Sequence, residues 1–431
     1  VTASHNPAKY NGYKAYGPDG CQMTSEAADA VYAEMQATDI FAGIRLADFD
    51  AALEQGGIEY IGQDTIEALY ENIKAQSVRP GLCKTAGLKL VYSPLNGSGL
   101  VPVTRVLGDI GITDITIVPE QQYPDGNFPT CPYPNPEIRE ALALGLALAE
   151  KSGADLMLAT DPDADRVGIA VNHHGEYILP TGNEVGVLML DYIAKQRIAQ
   201  GTMPKNPIAV KSIVSTPLAD VVAKSYGIQM INVLTGFKYI GEQITLLEQK
   251  GEENRFLLGF EESYGYMTGG HVRDKDAVNG AMIICEMAEY YKKQGKTLID
   301  ALNDIFSRFG VYAAKVKGYT FEGTEGMDKM TGIMKKLREN PPKDFGGYKI
   351  LCCSDYLISK RRDFRSGGQT DILLPTSNVL EYDLENNLKL IVRPSGTEPK
   401  IKVYLTIVTN DKEQVETIEQ RLISSADLLM K

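Results

Sequence analysis

Residues 156–171 read LMLATDPDADRVGIAV, and this stretch decides the fold. An apolar run, Leu156 to Leu158, leads into an acidic loop, Asp161 to Arg166, and α/β sheets present their ligand loops at the carboxyl ends of strands in this way. Ahead of it come an apolar run from Leu88 to Tyr92, a Gly-bearing turn, a helical stretch, a second run from Ile115 to Val118 and a further helix, so 88–166 spells βαβαβ. A helix opens the unit: Ile66, Leu69, Tyr70 and Ile73 fall at helical spacing, with Asp64 and Glu67 in a capping-box arrangement.

The same order returns from Ile208 to Glu262. A strand ends at Val214, Ser215-Thr216-Pro217 starts a helix, and strands Met230 to Leu234 and Phe256 to Leu258 follow, the last running into GFEES, Gly259 to Ser263. The opening VTASHNP, Val1 to Pro7, reads as the end of an equivalent strand and loop from an earlier, incomplete copy. The last hundred or so residues differ. Val379 to Leu384 and Leu388 to Val392 form a hairpin, Ile401, Val403, Leu405 and Ile407 alternate as in a half-buried strand, and Val415, Ile418, Leu422 and Leu429 share a helical face. The expected fold is therefore α/β, with three related α/β domains, the first incomplete, and a C-terminal α+β domain around a central cleft. The domains are 1–62, 63–180, 181–312 and 313–431.

The 431 residues, at roughly 150 per domain, are enough for about three or more cores. A 43% hydrophobic and 23% charged composition excludes disorder and fibrous repeats. The net charge of −12 excludes a broad basic surface for nucleic acid or anionic membrane, so an anionic ligand needs a local basic pocket. No run of 18 apolar residues and no signal-peptide pattern occurs, and the expectation is a cytoplasmic protein without membrane contact. The six cysteines form no C-x-x-C pair and read as reduced thiols.

Asp161, Asp163 and Asp165 alternate on one turn and can converge on a hard cation, for which Mg2+ prefers oxygen ligands; the alternative is an acidic turn capped by its own side chains. An EF-hand is disfavoured, because Arg166 and Asn172 stand where it needs Gly and Glu. Arg166 beside the carboxylates adds a phosphate contact. Ser4, flanked by His5 and Asn6 with Lys14 ten residues on, is by itself either a turn hydroxyl or a nucleophile. There is no G-x-S-x-G elbow, and the near miss to a P-loop at Gly295-Lys296-Thr297 fails at Tyr290. RPSGTEPK, Arg393 to Lys400, is a hairpin turn or a phosphate grip made by Arg393, Ser395, Gly396 and Thr397. Lys238 in TGFK and His271, Arg273 and Lys275 in GGHVRDKD are weaker basic candidates. His173 and His174, before Gly175 in a hairpin turn, read as exposed.

TASHNP, DPDADR, GFEES and RPSGTEPK, in that order, resemble the α-D-phosphohexomutase family, and within it the bacterial phosphoglucomutase branch near the phosphopentomutases. NGYKAYGPDG (Asn11 to Gly20), FPTCPYPNPE (Phe128 to Glu137) and TGFKYIG (Thr235 to Gly241) extend the resemblance over nearly the whole chain. It implies a phosphoserine at Ser4, with Ser4, Asp161, Asp163 and Asp165 holding Mg2+ and Arg166 touching the phosphoryl group. It also implies that Glu261 and Ser263 contact sugar hydroxyls and that Thr235, Gly236 and Phe237, with Lys238, sense sugar orientation. Arg393, Ser395, Gly396 and Thr397 would clamp the non-reacting phosphate. His5, Lys14 and Lys275 sit where acid/base or phosphate-contacting residues are expected, with Arg273 nearby as a substrate contact.

The expected reaction interconverts glucose 1-phosphate and glucose 6-phosphate through glucose 1,6-bisphosphate, which is both activator and intermediate. Phosphopentomutase or phosphomannomutase activity is the alternative within the class, and a non-catalytic phosphosugar-binding protein the alternative outside it. Oligomeric state is left open. Family members carry a long segment before the serine loop. Its absence here leads to the expectation of unpaired strand edges and exposed core in residues 1 to about 62, with poor activity or stability of this chain alone.

Overall fold

The structure is a computed structural model and describes residues 1–23, 25–85, 87–321, 325–395 and 399–430. Two of its sheets follow one plan. In the first, Leu90–Ser93 lies between Ile115–Ile117 and Leu156–Thr160, all parallel, and Val167–His173 and Glu176–Ile178 continue antiparallel. In the second, Ile208–Ser212 lies between Gln229–Val233 and Phe256–Glu261, again parallel, and Gly265–Met267 closes antiparallel. The first four strands of each have the same order, so the repeat legible in sequence is a repeat of topology. Leu156–Thr160 and Ile208–Ser212 are buried throughout, which is why they read as unbroken apolar runs and not as alternation.

Helices Gly182–Ala199 and Ala277–Lys292 are buried on nearly every side. They sit in one core cluster that reaches from Leu90 and Val167 of the first sheet to Leu258 and Phe260 of the second. This shared core fixes the two acidic loops against each other: Val167 N donates to the Tyr264 carbonyl at 3.1 Å, and Arg166 forms a backbone bridge to Gly265. Two glycines let neighbouring backbone pack closely on these loops, one on each. A Cβ on Gly97 would lie 2.3 Å from Pro162 Cα, and one on Gly182 would lie 2.1 Å from the Glu262 carbonyl.

The C-terminal part is an antiparallel eight-stranded sheet. Its main path runs Val311–Thr320, Lys400–Thr409, Lys389–Pro394, Leu380–Leu384, Tyr348–Asp355, Lys360–Asp363, Gln369–Asp371, with Asp344–Phe345 on the side. Ile401, Val403, Leu405 and Ile407 point into its core together with Leu422 and Ala426 of helix Gln414–Leu429, as their alternation predicts. A second seam of Ile213, Val214 and Leu234 against Tyr356, Val379, Ile391 and Tyr404 joins this sheet to the preceding domain. The α/β repeat followed by an α+β domain is therefore the architecture of the molecule.

Two expectations are corrected. The helix Gln63–Lys74 is capped by Gly62, so Asp64 lies inside its first turn, where it favours the helix dipole, and makes no capping box; Glu67 accepts from Gln63 and pairs with Arg105. Residues 1–62 contribute helices Ser25–Ala37 and Phe49–Glu54 and the isolated bridge Tyr16 to Gln22, but no strand among the described residues, so the unpaired strand edges are not found. Apolar side chains there are nevertheless open: Phe41 and Leu46 are 89% and 92% exposed. All six cysteines are free thiols, and among the described residues no helix is long and apolar enough to cross a membrane.

Candidate active site

The site forms where three loops meet, and each holds one non-glycine residue in the left-handed region: Ser4 (φ 53°), Ala164 (φ 52°) and Tyr264 (φ 64°). Such backbone costs about 1–3 kcal/mol per residue and persists only where surrounding contacts enforce it. Around Ser4, Thr2 Oγ1 accepts from the Ser4 N–H at 2.8 Å, and Thr2 N–H donates to the Gly12 carbonyl at 3.0 Å. The turn aims the hydroxyl across 157 positions: Ser4 Oγ donates to Asp161 Oδ2 at 3.0 Å and lies 3.1 Å from His5 Nδ1.

Asp161 is fully buried at the end of Leu156–Thr160, and its Oδ1 accepts the backbone N–H groups of Asp165 (3.1 Å) and Arg166 (3.0 Å), which shapes the loop. Burial, reinforced by Asp165 and Asp163, pushes its carboxyl well above the usual range. Asp165 moves the other way, because Lys275 and Lys14 outweigh the burial that opposes ionisation. One oxygen from each of Asp161, Asp163 and Asp165 lies within 4.8 Å of the others, and Oδ1 of Asp163 and of Asp165 is buried without a hydrogen-bond partner among the described residues. Convergent carboxylates with orphaned oxygens suit a hard divalent cation such as Mg2+. In this structure the ammonium groups of Lys14, 3.1 Å from both Asp163 and Asp165, and of Lys275, 2.8 Å from Asp165, supply the positive charge. Burial disfavours both ammonium groups, but the carboxylates more than reverse it and hold their pKa values above the ordinary lysine value.

His5 is neutral near pH 7: burial first, and Arg166 second, lower its pKa to about 4. Its ring lines a cleft of about 500 Å³ shared with Arg166, Thr235, Gly236, Glu261, Ser263 and Arg393. Gly236 N–H donates to Glu261 Oε1 at 2.7 Å, and burial together with the neighbouring Glu262 raises the Glu261 carboxyl to about 7. Ser395 N–H donates to the Lys400 carbonyl at 2.7 Å at the foot of the same hairpin. Gly396 and Thr397 lie outside the described residues.

Three candidates do not line that cleft. The Phe237 side chain is buried in the apolar core beneath Gln229–Val233, because it starts the amphipathic helix Phe237–Glu248 and faces inward, and its ring centroid lies 5.9 Å from Lys275 Nζ. Lys238 lies over the Tyr239 ring at 5.1 Å. Arg273 pairs with Glu248 at 2.6 Å and lines, together with Lys14, Lys275, Asp163 and Asp165, a second cavity of about 560 Å³ on the other side of the carboxylate trio. Conversely, sequence reasoning missed Glu137, whose Oε1 accepts from Arg166 Nη1 at 2.9 Å, and Lys402 and Tyr404, which line the cleft beside Arg393. Alternation along Lys400–Thr409 puts Lys402 and Tyr404 on one face and was the available signal for both. Glu137 has no such periodic signature.

A strained serine hydroxyl on a carboxylate trio, a neutral imidazole beside it and a cation-lined cleft opposite define an α/β phosphotransferase with a divalent-cation seat. Family profiles described as phosphoglucomutase/phosphomannomutase domains I, II, III and the C-terminal domain match residues 1–40, 66–175, 181–309 and 354–425. A phosphoglucomutase of Staphylococcus saprophyticus is 33% identical over 428 residues, covering 99% of this chain and 76% of that protein. Among solved structures, a putative phosphomannomutase from Thermus thermophilus shares the fold with a TM-score of 0.67 at 21% identity, over 100% of this chain and 77% of that one. An N-acetylphosphoglucosamine mutase of Aspergillus fumigatus, solved with GlcNAc-6P and magnesium, is 13% identical with a TM-score of 0.55, over 100% of this chain and 88% of that one. The chain belongs to the phosphoglucomutase/phosphomannomutase family, a family of phosphohexomutases.

Proposed function

We propose that this chain interconverts glucose 1-phosphate and glucose 6-phosphate, with Ser4 as the residue that donates and recovers the phosphoryl group. The observation that carries the reading is the Ser4 Oγ to Asp161 Oδ2 hydrogen bond of 3.0 Å, which joins a hydroxyl to the carboxylate trio across a domain boundary. From the phosphorylated serine, the Oγ–P bond breaks as a bond forms from phosphorus to the sugar's 6-oxygen, whose proton is passed on to Ser4 Oγ. Glucose 1,6-bisphosphate then turns over. Ser4 Oγ gives up its proton as it takes the phosphoryl group from the 1-oxygen, and that proton ends on the 1-oxygen. His5, neutral and with Nδ1 3.1 Å from Oγ, is suited to orient the serine oxygen; Lys14 and Lys275 are charged and act as electrostatic partners.

Mg2+, held by Asp161, Asp163, Asp165 and Ser4, would supply positive charge beside the phosphoryl oxygens. Arg166 orients the same oxygens, Glu261 and Ser263 accept and donate to sugar hydroxyls, and Arg393 with Lys402 grips the phosphate that does not react. Intact-mass analysis before and after glucose 1,6-bisphosphate tests the reading. The expected result is one added phosphate on Ser4, absent in Ser4→Ala, with glucose 6-phosphate formed from glucose 1-phosphate in a coupled assay. Phosphate on another residue, or turnover unchanged in Ser4→Ala, would overturn it.

A further inference from the structure

Two of the chain's four histidines stand side by side far from the serine loop. His173 ends the strand Val167–His173, pairs with Glu176, and leaves His174-Gly175 as a two-residue hairpin loop. Both loop residues have positive φ, 56° and 97°, the geometry of a type I′ turn, in which Asn is the usual first residue. Adjacent side chains on a strand face opposite ways. The turn instead brings the His174 ring back against His173, with centroids 4.4 Å apart.

Opposite them stands Asp300, in the first turn of helix Leu298–Phe309 in the following domain. Its Oδ2 accepts from Thr297 N–H at 2.8 Å and Thr297 Oγ1 at 3.0 Å, while Oδ1 accepts no hydrogen bond among the described residues. His173 Nδ1 lies 2.9 Å from Thr297 Oγ1, which fixes the ring as an outer partner fixes a metal ligand. One ligand atom from each of His173, His174 and Asp300 lies within 4.8 Å of the others.

We propose that His173, His174 and Asp300 form a second metal site, taking Zn2+ and stapling the hairpin of one domain to the helix of the next. Imidazole nitrogens select zinc over magnesium, and two histidines with one carboxylate leave the fourth tetrahedral position to water. A cavity of about 220 Å³ lined by His174, Lys292, Lys296 and Thr297 adjoins the cluster. Zinc bonds of about 2.0 Å place ligands about 3.3 Å apart, a closure the exposed His174 makes by a rotamer change.

Calorimetric titration of the whole chain with Zn2+, under excess Mg2+ to occupy the aspartate trio, is the test. The expected isotherm shows one saturable site, weakened at least about tenfold in His174→Ala, with mutase turnover of that variant unchanged. Side-chain NMR of the four histidines supplies the second readout: His173 and His174 resonances shift with zinc, and His5 and His271 do not. Isotherms identical in wild type and variant, shifts confined to His5 or His271, or no saturation below about 1 mM would overturn the proposal.

Discussion

Arg393 and Lys402 stand directly opposite each other in the antiparallel ladder between Lys389–Pro394 and Lys400–Thr409, and both line the cleft. Like charges in that position destabilise a sheet by about 0.2–1 kcal/mol, a cost that a bound phosphate dianion turns into attraction. Lys402→Met is expected to raise KM for glucose 1-phosphate about 10- to 100-fold through loss of a charge-assisted hydrogen bond. The unliganded variant should be no less stable than wild type. Steady-state kinetics with thermal melts checks both; a lower melting temperature with unchanged KM would make the pair structural.

Ser4→Gly separates chemistry from backbone. Ser4 sits at φ 53°, where glycine is unstrained, so relief of about 1–2 kcal/mol offsets the extra unfolded-state entropy of glycine. Melting should stay within about 1 kcal/mol of wild type, while phosphorylation by glucose 1,6-bisphosphate disappears. A large stability loss would mean that the Ser4 to Asp161 hydrogen bond is mainly architectural.

Glu261 sets a pH dependence. The folded protein keeps its proton up to about pH 7, whereas the ordinary value is 4.5, so the folded state holds the extra proton between those limits. Stability from this group therefore falls as pH rises through that window and levels off above it. Glu261→Gln stays neutral and still accepts from Gly236 N–H. It should be more stable than wild type at pH 8 by about 1–3 kcal/mol and equal to it near pH 4.5, as measured by urea unfolding, and should lose most activity.

These residues differ in how far the sequence discloses them. The carboxylate trio is local, three residues on one turn, so alternation alone exposes it. The βαβαβ order is legible for the same reason, since buried parallel strands are short apolar runs between turns. That Ser4 meets Asp161 is a tertiary fact which only the family resemblance anticipated, because no spacing rule connects positions on different domains. Phe237 and Gly236 are adjacent yet diverge, one into the core and one into the cleft, because the helix starting at Phe237 turns its apolar face inward. Glu137 has its partner 29 positions away and sits in a proline-rich loop without periodicity, so nothing local marks it.

Removal of divalent cations should stop phosphoryl exchange and also lower stability. With the trio empty, Lys14 and Lys275 neutralise Asp163 and Asp165, but the Oδ1 atoms of both accept no hydrogen bond among the described residues. At 100 times its dissociation constant, Mg2+ should stabilise the fold by about 2.7 kcal/mol over chelator-treated protein. Melts in EDTA and in graded Mg2+ read this directly, and Asp163→Asn should flatten the response.

Glu137 is a positioning residue, and its variants should separate orientation from charge. Its carboxylate holds Arg166 Nη1 at 2.9 Å, while Arg166 Nε remains 4.0 Å from Asp161 Oδ2 and 3.8 Å from Asp165 Oδ1. Freed by Glu137→Ala, the buried guanidinium has two carboxylates of the cation seat as its nearest anionic partners. It would then compete with Mg2+ for them and leave the phosphoryl oxygens. The expected result is a kcat about 10- to 100-fold lower with KM changed little, because the lost contact acts on the transferring group. The Mg2+ concentration for half-maximal rate should rise as well, which a merely structural loop residue would not cause. Glu137→Gln keeps an acceptor for Nη1 without its charge and should fall between wild type and Ala in both readouts; a Mg2+ requirement unchanged in Ala would show that Arg166 is held by the loop backbone instead.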